Sequence, residues 1–194
     1  MRPLSDDLAA AEAFHGHLCS GMIIGVRMAR LALGWLGIED PASYRDLVVY
    51  VEMDRCAADA VSVVSGCTLG HRRLKWMDYG KMAATFLDLA TRRAIRVAAV
   101  GEHSPASGVN LKEFWQGVSD DDLFRTESVS VPLSPFDLPG RPLRTARCDK
   151  CGEKVLDGRE VERSGQVLCR ACASGSYYVS QAGRKEENDG VGAV

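Results

Sequence analysis

His15, His17 and Cys19 occupy alternate positions in the stretch "FHGHLCSG", just ahead of a long apolar segment. Imidazole and thiolate are borderline and soft donors, so such a set suits zinc and, less specifically, nickel or iron. Extended backbone would turn all three side chains to one side, whereas helical backbone would pair His15 with Cys19 and send His17 away. Either geometry brings two ligand types together. The helix that follows begins near Ser20, a favourable N-cap residue, which places Cys19 at the positive end of a helix dipole and favours its thiolate. Cys56 repeats the theme where "DLVVYVEM" gives way to "CAADAVSVV". Cys67 follows at the far end of that helix, about eleven residues or roughly 15 Å on, so Cys56 and Cys67 cannot share one ion while the helix is intact. A competing reading makes such cysteines small buried hydrophobes and such histidines hydrogen-bonded structural groups. It weighs most on Cys67, His71 and His103.

A second set is more specific. "CDKCG" and "CRACA" place Cys148, Cys151, Cys169 and Cys172 in two C-x2-C pairs separated by 17 residues. Two residues between thiols let one turn present both sulfurs to a single ion, and two such turns complete a tetrahedral thiolate shell. With all four positions filled by sulfur the site is structural, since a catalytic zinc keeps one position open. Turn signals at Asp157-Gly158 and Ser164-Gly165 predict a short β-hairpin between the knuckles, with Cys169 and Cys172 entering a last helical turn. This is the pattern of a zinc ribbon or treble clef. From Arg147 to Cys172 six basic residues face five acidic ones, so no basic stripe is available for nucleic acid, and folding or docking is the better role.

The elements that position these groups follow from periodicity and punctuation. Residues 6–14 are helical in composition, and residues 21–36 form an apolar core helix in which Gly21, Gly25 and Ala29 fall on one face open to close approach. Residues 46–53 read as a strand, residues 56–66 as a helix closed by Gly66, and "KMAATFLDL" and "AIRVAAV" as two further strands, the weak alternation of the second leaving a helix open as its alternative. "NLKEFWQGV" and "DDDLF" are helical or turn-like, and "ESVSVPL" alternates as a short strand. Pro132, Pro135, Pro139 and Pro142 then mark a linker. The expected organisation is an α+β core with a mixed or antiparallel sheet over residues 1–131, a linker over 132–146, a zinc finger over 147–180 and a disordered tail over 181–194.

Composition narrows the partners. The 194-residue chain carries 24 Lys and Arg against 26 Asp and Glu, a net charge of −2, which disfavours nucleic acid or an anionic membrane and favours small molecules or proteins. The N-terminus has no apolar core of a signal peptide, and Arg27 and Arg30 interrupt the later apolar run. Seven cysteines, four of them in C-x2-C pairs, fit a reducing compartment. A soluble cytoplasmic protein is expected.

The blocks "FHGHLCSGMIIGVRMARLAL", "VEMDRCAADAVSVVSGCTLG" and "MDYGKMAATF", followed by the paired C-x2-C motifs, resemble the FmdE family of formylmethanofuran dehydrogenase. The resemblance runs from about Phe14 to Ala173. It implies an α+β core that can form a homodimer, an auxiliary treble-clef finger, and a pocket built from His15, His17, Cys19, Cys56, Asp59, Cys67, Asp78, Tyr79 and Lys81. The family's proline after the first cysteine is replaced here by Ser20. The resemblance also implies a link to a molybdenum or tungsten enzyme. The pterin redox chemistry of such an enzyme belongs to its other polypeptides, because three cysteines outside the finger are too few for cluster runs.

Three readings follow. The first is a metal-binding accessory or stand-alone protein, with structural zinc on Cys148, Cys151, Cys169 and Cys172 and a second transition metal on His17, Cys19 and Cys56, His15 nearby. The second is an enzyme that uses Cys19 as nucleophile or persulfide carrier, a neighbouring histidine as base, and Lys81 or Tyr79 to orient the substrate. The third is a regulator that binds nucleic acid through the finger.

Overall fold

A computed structural model of the chain describes residues 1–101 and 103–181. They fall into two compact units, Met1–Gly140 and a second beginning at Arg141. The expected tail lies, from residue 182 on, outside the described residues. Among the described residues no helix is long and apolar enough to cross a membrane.

The first unit is α+β. Helices α2 (Ser20–Leu36) and α3 (Cys56–Ser65) pack on one face of a five-stranded mixed sheet of order β2-β1-β3-β4-β5, and α1 (Leu4–His15) packs against these two helices. Its strands are β1 (Leu47–Val51), β2 (Leu74–Trp76), β3 (Ala83–Asp88), β4 (Ala94–Ala99) and β5 (Phe124–Ser128). β2 runs parallel to β1 and every other pair is antiparallel. Two short helices, α4 (Leu111–Gln116) and α5 (Asp120–Leu123), lead into β5. The last strand therefore ends where "VSVPL" was expected to continue it, and β2, only three residues long, carries too little alternation to be read from sequence.

Strand alternation sorts the sheet residues. Val49, Val51, Phe86, Ile95 and Val97 face the helices and are buried in the core. The opposite face carries Tyr50, Thr85 and Arg96 in one cross-strand row and Ala83, Ala98 and Arg125 in the next. Part of the proline-marked segment is docked on this unit. After Val129 N–H donates to the Ala94 carbonyl, the chain reaches a 3-10 turn, Pro135–Asp137. The Lys75 ammonium holds the Asp137 carbonyl at 2.8 Å, and the Arg72 guanidinium holds the Phe136 and Leu138 carbonyls.

Close packing of α2 on α3 depends on missing side chains. A Cβ on Gly25 would lie 2.7 Å from the Ala57 carbonyl oxygen and 2.8 Å from the Ala60 Cβ, distances at which backbone must move. One turn earlier a Cβ on Gly21 would stand 3.3 Å from the Cys56 Cβ and 3.8 Å from the Cys19 sulfur. The glycine face thus draws the N-terminal ends of both helices together, and with them Cys19 and Cys56.

Among the described residues the second unit contains two β-hairpins followed by a short helix. β6 (Thr145–Arg147) pairs with β7 (Lys154–Leu156), and β8 (Val161–Arg163) pairs with β9 (Gln166–Leu168) before α6 (Arg170–Ser174). Its small core is built on Cys148, Leu168 and Ala173. So little apolar surface does not by itself outweigh chain entropy, and a metal must supply the remainder.

Candidate metal centres and adjoining cavities

In the second unit, one ligand atom from each of Cys148, Cys151, Cys169 and Cys172 lies within 4.8 Å of the others. Cys148 and Cys151 occupy the turn of the β6–β7 hairpin, and Cys169 is the N-cap of α6, its sulfur accepting from the Cys172 N–H. The backbone N–H groups of Cys151 and Cys169 bring the Cys148 pKa down to about 6, while hydrogen bonding among the crowded thiols, first with Cys169, pushes Cys172 up to about 12. Four sulfurs this close cannot all shed their protons without a cation between them. The donor set and its closure fit tetrahedral zinc.

In the first unit, ligand atoms of His15, His17 and Cys19 also lie within 4.8 Å of one another. Three backbone states converge to produce this. His15 ends α1, Gly16 takes the left-handed conformation (φ 95°) that turns the chain, and Cys19 is extended (φ −133°) at the N-cap of α2. Cys19, not Ser20, is therefore the N-cap residue. Ser20 is the first helical residue, and its hydroxyl accepts the Trp115 indole N–H at 3.1 Å. The His15 Nδ1 lies 2.8 Å from the Asp59 carboxylate, which leaves Nε2 as the nitrogen free to take a metal. Cys56, first residue of α3, lies beside Cys19, and burial together with the neighbouring thiol pushes its own thiol pKa up. The donor set fits a transition ion with three ligands, a second thiol, that of Cys56, beside them and an approach from the exposed side at His17.

Other residues expected in the same pocket are placed elsewhere. Cys67 is fully buried, with its thiol on the Leu47 carbonyl at 3.5 Å, so it belongs to the core beyond the C-terminal end of α3. In sequence alone its position at an element end, followed by "TLG", reads as a loop site. Asp78 is exposed. Tyr79 and Lys81 line a cleft on the helix-free face of the sheet with Glu52, Arg96 and Arg125. His71 is exposed and bonds to the Thr68 hydroxyl at 2.9 Å.

Beside the His/Cys centre lies a groove of about 410 Å³ that sequence reasoning did not assemble. Phe14, Met53, Leu69 and Trp76 form its apolar walls, Asp54 and Asp59 lie among its lining, and no Lys or Arg among the described residues lines it. Phe14, Leu69 and Trp76 are each more than half exposed. The aromatic residues at its two ends, adjacent to "HGHLC" and to "MDYGK", were the available signal.

Comparison with known proteins agrees with both units. A family model described as FmdE, molybdenum formylmethanofuran dehydrogenase operon, matches residues 14–128, and a prokaryotic dksA/traR C4-type zinc finger matches residues 141–178. A protein of Archaeoglobus fulgidus named as a probable S-adenosyl-L-methionine-binding protein is 30% identical over 203 residues, covering 88% of this chain and 53% of that protein. The chain thus spans about half the length of this curated relative. The crystal structure of an FmdE-like protein of the tungsten formylmethanofuran dehydrogenase type, from Syntrophus aciditrophicus, shares the fold, with a TM-score of 0.57 at 21% identity over 91% of this chain and 95% of that chain. With more than half of its residues matched by the family model and a four-cysteine zinc finger following, the chain belongs to the FmdE family.

Proposed function

We propose that the core unit binds a transition-metal ion through His15, His17 and Cys19, with Cys56 as the adjoining thiol, and that the chain is a metal-binding accessory or stand-alone member of its family. The observation that carries this reading is the mutual approach of the three ligand atoms to within 4.8 Å. A three-ligand imidazole and thiolate site leaves a position open to a small molecule, in contrast to the closed finger. The operon named in the family description supports a place beside a molybdenum or tungsten enzyme. We place the protein in the cytoplasm as a homodimer, where reduced thiols would keep both centres competent.

Metal analysis of the purified full-length chain tests this reading. Two ions per chain are expected, falling to one in Cys19→Ser and in His17→Ala. A content of one ion, unchanged by Cys19→Ser, overturns it.

The groove favours a second reading, that the core also takes S-adenosyl-L-methionine or a similar sulfonium. A cation with an aromatic body suits walls formed by Phe14 and Trp76 and charged, among the described residues, by Asp54 and Asp59. The name of the Archaeoglobus relative supports the same ligand. Calorimetry should show S-adenosyl-L-methionine binding about tenfold more tightly than its neutral homocysteine counterpart, which lacks the charge, with Trp76→Ala weakening it. No heat with either compound would end this reading and leave the metal assignment untouched.

A further inference from the structure

The cleft on the helix-free face of the sheet is built differently from the groove. Its volume is about 420 Å³. Ala83 and Ala98, opposite one another on β3 and β4, lie among its lining, and their short side chains are nearly fully buried. Larger residues in that row would fill the recess. Tyr79 and Val100, each at least half exposed, contribute the apolar surface.

The charges lining it are lopsided. Glu52, whose side chain is 7% exposed, forms a bidentate pair with Arg96 at 2.7 and 2.8 Å. Glu127, the cross-strand partner of Arg96 on β5, adds a second carboxylate near that guanidinium without lining the cleft. Arg96 is therefore compensated. Lys81, just ahead of β3, and Arg125, on β5, are both exposed and neither forms an ion pair with a described residue, although the Lys81 charge helps keep the Glu52 carboxyl low. Lys81 stands 5.8 Å from the centre of the Tyr79 ring. Two cations outside any ion pair, with β4 between them and next to the fixed guanidinium of Arg96, suit an anion with several acceptor oxygens, as phosphate has.

We infer that this cleft binds a small phosphate-bearing ligand with a flat apolar body, the phosphate between Lys81 and Arg125 and the body on the alanines beside Tyr79. It is a site separate from the His/Cys centre. Along β1 and its continuation, Val51 and Met53 line the groove while Glu52 lines the cleft, and successive strand residues face opposite sides of a sheet.

Phenyl phosphate, inorganic phosphate and phenol serve as probes, added to the zinc-loaded full-length chain at low salt and followed by amide chemical shifts. Phenyl phosphate should perturb residues 79–83, 96–100 and 125 and bind more tightly than inorganic phosphate, and phenol at the same concentration should leave them unmoved. Arg125→Ala and Lys81→Ala, both exposed positions, should each weaken phenyl phosphate about tenfold, and added salt should weaken it further. Arg125→Lys should recover part of the loss. If phenyl phosphate leaves these residues unshifted, or binds Arg125→Ala and Lys81→Ala as tightly as the unaltered chain, the inference is wrong. Equal shifts from phenol and phenyl phosphate would also overturn it, because the phosphate would then contribute nothing. Since the probes carry no metal-directed thiol or amine and the readout is local, failure here would not bear on the ion count at Cys19.

Discussion

His15 Nδ1 and the Asp59 carboxylate meet at 2.8 Å across 44 positions of sequence, joining the last residue of α1 to the first turn of α3. The contact fixes the orientation of an imidazole that would otherwise rotate at a helix end, and it decides which nitrogen is offered to a metal. Asp59→Asn should therefore lower the affinity of the core site for zinc by roughly 10–100-fold while leaving the zinc of the finger in place. Competition with a chromophoric chelator separates the two sites, and equal losses at both would refute the assignment.

The glycine face of α2 predicts a stability effect. Gly25→Ala would drive a methyl group into the Ala57 carbonyl and the Ala60 side chain, and overpacking of this kind costs about 1–3 kcal/mol, more where backbone must shift. Urea unfolding should show a lower midpoint with an unchanged slope. The displacement of α3 should also separate Cys56 from Cys19 and weaken core metal binding.

Removing zinc separates the units. A moderate chelator should unfold residues 141–178 first, because their apolar cluster is small. A chain ending at Gly140 should keep its circular dichroism and one bound ion. Loss of that ion from a folded truncated chain would show that the finger completes the core site.

The Glu52–Arg96 pair predicts a pH dependence. The hydrogen bonds from Arg96 hold the Glu52 carboxyl below its ordinary value against the opposing effect of burial. A depressed carboxylate contributes stability that is fully present above its unfolded pKa and is lost as pH falls through the folded one. Stability from this pair should be flat from neutral pH down to the ordinary glutamate range, then fall in more acidic solution. Glu52→Gln should be less stable at neutral pH, and its stability should vary less with pH in the acid range. Thermal melts across that range provide the check.

Sequence carried much of this architecture, and the reasons are local. Paired thiols in tight turns specify the finger almost alone, and the spacing of Gly21, Gly25 and Ala29 foretold close helix packing. "HGHLC" left extended and helical geometries open, and the resolution came from Gly16, whose left-handed turn lets His15 finish a helix while Cys19 begins another. Tertiary facts were beyond reach of spacing. Cys67 could be told from Cys56 only by which end of α3 the core covers, and the separation of Tyr79 and Lys81 from the histidines depends on which face of the sheet their loop approaches.

Because neighbouring residues of β1 and its continuation serve different cavities, this segment tolerates exchange of residues far better than a change in their number. Replacing Met53 by another apolar side chain alters one wall of one cavity. Inserting or deleting a single residue in 47–51 would swap the inner and outer sets downstream, pushing Glu52 toward the helices and Val51 toward water, and would disrupt both cavities together. Length in this segment should accordingly be the more rigid inheritance and side-chain identity the more variable one, so that new ligand preferences could arise by substitution without redrawing the sheet.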